Sequence, residues 1–193
     1  MKIHLWLPLS FLAAALSVFF PRFSSTPLAT PTVMNSKTWS LADNLPESNF
    51  YIVVDKSEYE LKVYDSEGWY ATYPIVFGSK DLGDKMREGD KKTPNGSFRV
   101  ILKKHHPKWG PELLLDYPTN ESVEKFNQRK AQGILPRNAK IGGGIAIHAT
   151  RPGEEWTVDN FYNWTDGCVS VKYTEMQDLF SYIPVGTRVT IQP

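Results

Sequence analysis

The only cysteine of the 193-residue chain, Cys168, closes the run Thr165-Asp166-Gly167-Cys168 and leads into Val169-Ser170-Val171. Earlier in the chain, His148 ends the apolar stretch Ile145-Ala146-Ile147-His148, which follows Gly142-Gly143-Gly144. A cysteine attacks acyl carbons as its thiolate, and a free thiol with a pKa of about 8.5 needs a positive or proton-accepting neighbour to supply that form near neutrality. An imidazole at a strand end suits that role, because a sheet presents such side chains rigidly to a cleft. Gly167 lets the backbone approach a substrate carbonyl closely, so that main-chain N–H groups there meet a developing oxyanion. Each residue also has a plain reading: a lone cysteine as a small buried hydrophobe, a strand-end histidine as hydrogen-bonded structure. One thiol excludes an intramolecular disulfide and a cysteine-rich zinc site.

Other chemistry fits less well. The three glycines precede a strand-like segment and no Lys-Ser/Thr follows, which rules out a phosphate loop. His105-His106 are neighbours on an extended segment and point to opposite faces, so they chelate a metal poorly and read as a solvated strand end. Glu154-Glu155 reads as a solvated pair rather than as the acids of a glycosidase. Trp156, Phe161, Tyr162 and Trp164 lie between His148 and Cys168, where they border the same cleft; packing is expected for at least two of them.

The elements that must position these residues are mainly strands. Tyr51 to Val54, Tyr59 to Tyr64 and Tyr70 to Phe77 are rich in β-branched and aromatic residues and are separated by turn residues, which predicts an antiparallel meander. Thr93-Pro94-Asn95-Gly96 makes a turn into a strand from Ser97 to Leu102, and Thr187 to Ile191 closes the chain as another strand. Asp81 to Lys92, charged and punctuated by glycine, reads as a surface loop. Two short helices are expected. One runs over Glu121 to Gln132, capped by Asn120, with Val123, Phe126 and Lys130 on one face and Gly133 ending it; the other follows a Thr174/Gln177 capping box.

Composition bounds the rest: 41% hydrophobic and 22% charged residues with a formal charge of +1 describe a globular chain, not a disordered or collagenous one. Residues 1–25 combine Lys2 with an apolar run from Ile3 to Phe20, then Pro21 and Arg22, and read as a signal peptide or an N-terminal membrane anchor. Residues 26–48, rich in Ser, Thr, Pro and Asn, read as a linker, and residues 49–193 as one catalytic domain. The first 30 residues hold Lys2 and Arg22 but no acid, which leaves 20 basic against 21 acidic residues and no electrostatic case for nucleic acid as a partner.

His148, then sixteen residues, then Thr165-Asp166-Gly167-Cys168 resembles the signature of the YkuD-type L,D-transpeptidases. Tyr51 to Tyr64 is similar to the family's first hairpin, and Thr93-Pro94-Asn95-Gly96 with Phe98 to its Thr-Pro-x-Gly-x-Phe/Tyr segment; Ile183-Pro184-Val185-Gly186-Thr187 completes the set. The resemblance implies a mainly β, sandwich-like catalytic domain with two short helices that acts on peptidoglycan stem peptides. It implies Cys168 as nucleophile, His148 as base and the Ala149 carbonyl as the group that orients the imidazole. Thr165, Asp166 and Gly167 then fall to substrate or oxyanion binding. The substrate is a tetrapeptide stem whose diaminopimelate carbonyl acylates the cysteine as D-Ala leaves, and an amine resolves the thioester. Carbapenems acylate the same cysteine in this family. No metal or organic cofactor is implied, and export to the periplasm or cell envelope fits the substrate. Oligomeric state stays open. Two positions depart from the pattern: Asp166 stands where the family has a second His, and Ser170 where it has Asn or Arg. That puts the acceptor in doubt, water included, which would make a carboxypeptidase or amidase. Asp166 is read either as a turn residue or as a group contacting substrate or His148. A binding module for stem peptides would have no need of the nucleophile.

Overall fold

The computed structural model describes residues 45–193. The signal or anchor segment 1–25 and most of the linker 26–48 lie outside the described residues. In chain order the elements are β1 (Tyr51–Asp55), β2 (Glu60–Asp65), β3 (Gly68–Pro74), β4 (Gly96–His106), β5 (Gly110–Leu115), α1 (Asn120–Ala131), β6 (Ala146–Ala149), α2 (Trp156–Asp159), β7 (Val169–Val171), α3 (Tyr173–Tyr182) and β8 (Arg188–Gln192).

Alternation drives the first strands. Ile52 and Val54 of β1 and Leu61 and Val63 of β2 turn inward, while their neighbours face outward. β1, β2 and β3 form the expected antiparallel meander, and β8 pairs parallel to β1. β4 belongs to two half-sheets. Its residues 96–99 pair with β8, and the remainder from Val100 on, with a register shift between Val100 and Leu102, pairs with β5. β6 then adds antiparallel to β5 and β7 parallel to β6, giving the order β3-β2-β1-β8-β4-β5-β6-β7. Bulges of this kind bend a strand and let it serve two sheets. One core lies between the halves and takes Ile52, Val189, Leu113, Ile147 and Val169 together with Met176 and Leu179 of α3. Beyond β3 the chain reaches the far edge, where Val76 and Ser170 exchange N–H···O bonds of 2.9 and 2.7 Å.

Several sequence expectations change. β4 runs to His106, and β5 was not foreseen: Gly-Pro-Glu-Leu-Leu-Leu is buried on both faces and shows no alternation. Among the described residues there are three helices rather than the expected two, because α2 is a single turn, too short to give a periodic pattern. Thr119, not Asn120, caps α1, its Oγ1 accepting from Ser122 N at 3.2 Å. α3 begins at Tyr173 with Glu175 accepting from Lys172 N, two residues ahead of the Thr174/Gln177 box. On α1 only Phe126 is buried. Among the described residues no helix is long and apolar enough to cross a membrane.

Candidate active site

His148 sits on β6 with 3% of its surface exposed. Its Nδ1 lies 2.8 Å from the Ala149 carbonyl oxygen. A carbonyl only accepts, so Nδ1 carries the proton and Nε2 keeps its lone pair. Burial pushes the imidazole down to about 4, against the opposing pull of the Ala149 carbonyl and the Glu112 carboxylate.

Parallel pairing aligns Ile147 with Val169 and His148 with Ser170, which sets Cys168, just ahead of β7, beside the start of β6. The thiol donates to the Gly144 carbonyl at 3.5 Å. Gly144 has a φ of +71°, a left-handed conformation that suits glycine and aims this oxygen at the sulfur. Burial pushes the Cys168 thiol up to about 11, opposed by the Ala146 N–H and Lys85 and reinforced by Glu112 and Asp166. The sequence led to the opposite expectation, a thiol held low by its histidine. Burial thus favours the neutral form of each group, the imidazole near 4 and the thiol near 11.

The turn that delivers Cys168 braces itself. Thr165 Oγ1 donates to the Cys168 carbonyl at 2.7 Å and accepts from Gly167 N–H at 3.2 Å. The Gly167 N–H and the Thr165 hydroxyl, expected to meet substrate or oxyanion, are thus engaged within the turn. Gly167 matters for its backbone: at φ +133°, a Cβ there would stand 2.8 Å from the Lys92 carbonyl oxygen. Asp166 points outward with 90% of its side chain exposed, 4.0 Å from Lys91 Nζ. It does not hold His148, whose Nδ1 is bonded to Ala149. Ser170 is fully buried and its hydroxyl has no partner among the described residues.

The loop from Asp81 to Lys92 is braced more than its charge pattern suggests. Lys85, 5% exposed, pairs with Asp90 at 2.8 Å and donates to the Lys92 carbonyl. Asp90 also accepts from the N–H groups of Met86, Arg87 and Lys92. Although burial opposes it, that set of donors holds the Asp90 carboxyl below the usual carboxylate range. A groove of about 430 Å³ runs from this loop to Thr165, lined by Lys80, Lys91, Phe161, Tyr162 and Trp164 among others. Trp156, Phe161 and Tyr162 are more than half exposed, so only Trp164 of the four aromatic residues packs inward. Sequence reasoning missed Gly144 as a thiol partner, although the triple glycine marked an unusual backbone. It also missed Trp109, which stacks on His148 only because β5 brings its hairpin there.

The chain matches the YkuD family, the L,D-transpeptidase catalytic domain, over residues 49–191. It is 29% identical over 160 residues to the Bacillus subtilis (strain 168) protein named "Putative L,D-transpeptidase YqjB", covering 82% of this chain and 80% of that protein. The solved structure of Bdellovibrio bacteriovorus Bd1075 superposes with a TM-score of 0.51 and 25% identity, over 75% of this chain and 48% of that one. Pgp2 of Campylobacter jejuni, a helical cell shape determining protein, superposes at 0.54 with 23% identity, over 78% of this chain and 53% of that one. The chain thus spans about half the length of these two solved relatives. The match of 49–191 takes in all eight strands but the last residue of β8, along with the Cys168 turn and the His148 strand: the chain belongs to the YkuD L,D-transpeptidase catalytic domain family.

Proposed function

We propose that this chain is an exported peptidoglycan L,D-transpeptidase that works through a Cys168 thioester. One observation carries the reading: the His148 Nδ1–H bond to Ala149 leaves the Nε2 lone pair on the strand against which Cys168 is set. As Sγ bonds to the carbonyl carbon at the L-centre of diaminopimelate, Nε2 takes the thiol proton. The C–N bond to D-Ala then breaks, and His148 returns the proton to the departing amine. An incoming amine attacks the thioester, loses its proton to Nε2, and expels the sulfur, which is reprotonated. Exposed Asp166 offers a carboxylate to an ammonium acceptor at the rim, and the neighbouring groove accommodates a peptide stem. Residues 1–25, as signal or anchor, and 26–48, as linker, bring the domain to the cell envelope.

Incubation with defined tetrapeptide muropeptides, read by mass, tests this. Cross-linked dimers with release of D-Ala are expected from the native protein and absent from Cys168→Ala. Trimmed monomers alone would select the hydrolytic alternative, a carboxypeptidase or amidase. Binding with no product would select a stem-peptide-binding protein.

A further inference from the structure

The His148 imidazole is wedged between two indoles. Trp109 lies against it with ring centroids 5.0 Å apart and planes 30° from parallel, and Trp164 meets it edge-on at 5.5 Å and 73°. Trp109 belongs to the turn between β4 and β5, outside every element that carries the proposed chemistry. It is fixed from two sides. Its Nε1–H donates to Glu112 Oε2 at 2.9 Å, and the His106 ring lies flat on it at 3.8 Å and 3°. Glu112 is 4% exposed, is the cross-strand partner of His148, and is bound by Lys104 Nζ at 3.0 Å. His106 is held in turn by Lys108 N, which donates to its Nδ1 at 3.1 Å. Three rings therefore form one stack, and the innermost is His148.

We infer that Trp109 is a positioning residue for His148, its indole setting the plane of the imidazole and keeping water off its hairpin side. The inference rests on the reading of His148 as the base. One hydrogen bond, from Nδ1 to Ala149, leaves an imidazole free to swing about that bond, and a second, planar contact is what stops the swing. The hairpin tip is the side from which water would come, since His106 and Trp109 are only half-buried there.

The titratable groups that act on His148 are Glu112 on β5 and His106 on β4; Lys104 reaches it only through Glu112, and Arg151 only through Trp164, 5.2 Å from that ring. Glu112 and the indole face both favour an imidazolium. The imidazole nevertheless sits near 4 because burial dominates. Removing the indole while leaving Glu112 in place should therefore move it upward, toward the ordinary 6.5.

The test is an NMR titration of the His148 ring C–H, assigned by its loss in His148→Gln, in the native protein, Trp109→Ala and Trp109→Phe. It is paired with the pH dependence of Cys168 acylation by a carbapenem. Trp109→Ala should raise the midpoint by about two units, which lowers the neutral fraction, and with it acylation, about tenfold at pH 5. Trp109→Phe keeps a ring on the imidazole and should restore a midpoint near the native one. A folded Trp109→Ala whose midpoint does not move overturns the inference. If that variant does not fold, Trp109→Gln, polar and of similar reach, takes its place under the same criterion. Since the titration needs no turnover, a native protein that is never acylated counts against the proposed function, and an unmoved midpoint counts against Trp109.

Discussion

Cys168, partly buried, and His148, 3% exposed, are shifted in opposite directions by the same cause. Burial penalises both charged forms, so the thiolate and the imidazolium are each disfavoured. Iodoacetamide should accordingly alkylate Cys168 in the folded protein at least tenfold more slowly at pH 7 than in denaturant, because the unfolded thiol ionises near 8.5. Rates followed by mass against pH check this, and a folded-state rate that exceeds the denatured one and levels off below pH 8.5 would contradict it. Cys168 and His148 stood out in the sequence as candidate nucleophile and base because the chain has one thiol and a family-spaced histidine. Their protonation did not, since it depends on how much water the surrounding sheet excludes. The roles of Gly144 and Trp109 were equally hidden: each acts on its partner across a strand register that no local pattern encodes.

At the scale of elements, alternation in β1, β2 and β8 made the outer half of the sheet readable, whereas the doubly buried β5 and the single-turn α2 left no periodic trace. Residues 81–92 form the surface loop that their charge pattern predicts, but the anchor of that loop comes from another element and left no local trace. Lys56, directly after β1 and fully buried, donates from Nζ to the Leu82 carbonyl at 2.7 Å and to the Thr93 carbonyl at 3.3 Å. It thereby ties both ends of the 82–93 segment to the sheet. Burial pulls its ammonium down from 10.5 to about 8, against Asp84 and Asp81. The unfolded chain then binds more protons than the folded one between pH 8 and 10.5, so stability rises through that window, by ~3 kcal/mol at most. Denaturant melts of the native protein and Lys56→Met should show the native advantage growing as pH goes from 8 to 10.5. A constant difference would mean that the amine is not desolvated as described. The Met variant also leaves two carbonyls without a donor, at a cost of about 1–3 kcal/mol each.

Residues 45–193 form a sheet that bends at β4, and its two edges meet where Val76 pairs with Ser170. Val76, carried by the extension of β3, bonds in both directions to Ser170, while Phe77 O accepts from Thr165 N at 3.3 Å. The turn bearing Cys168 thus hangs from the first half of the chain, and the strand bearing His148 from the second. Closure of the sheet and assembly of the site are then one event. Val76→Pro tests this, because proline removes the N–H that donates to the Ser170 carbonyl and leaves that oxygen buried and unpaired, at about 1–3 kcal/mol. Carbapenem acylation should fall on the order of a hundredfold, with Tm lowered by several degrees and the far-UV circular dichroism nearly unchanged, since the meander and the β4–β5 hairpin do not depend on that bond. Val123→Ala, at an exposed position of α1, should leave acylation and the melt as they are. If Val76→Pro lowers Tm yet is acylated at the native rate, the Cys168 turn holds its shape without the seam, and the site belongs to the β6–β7 half alone.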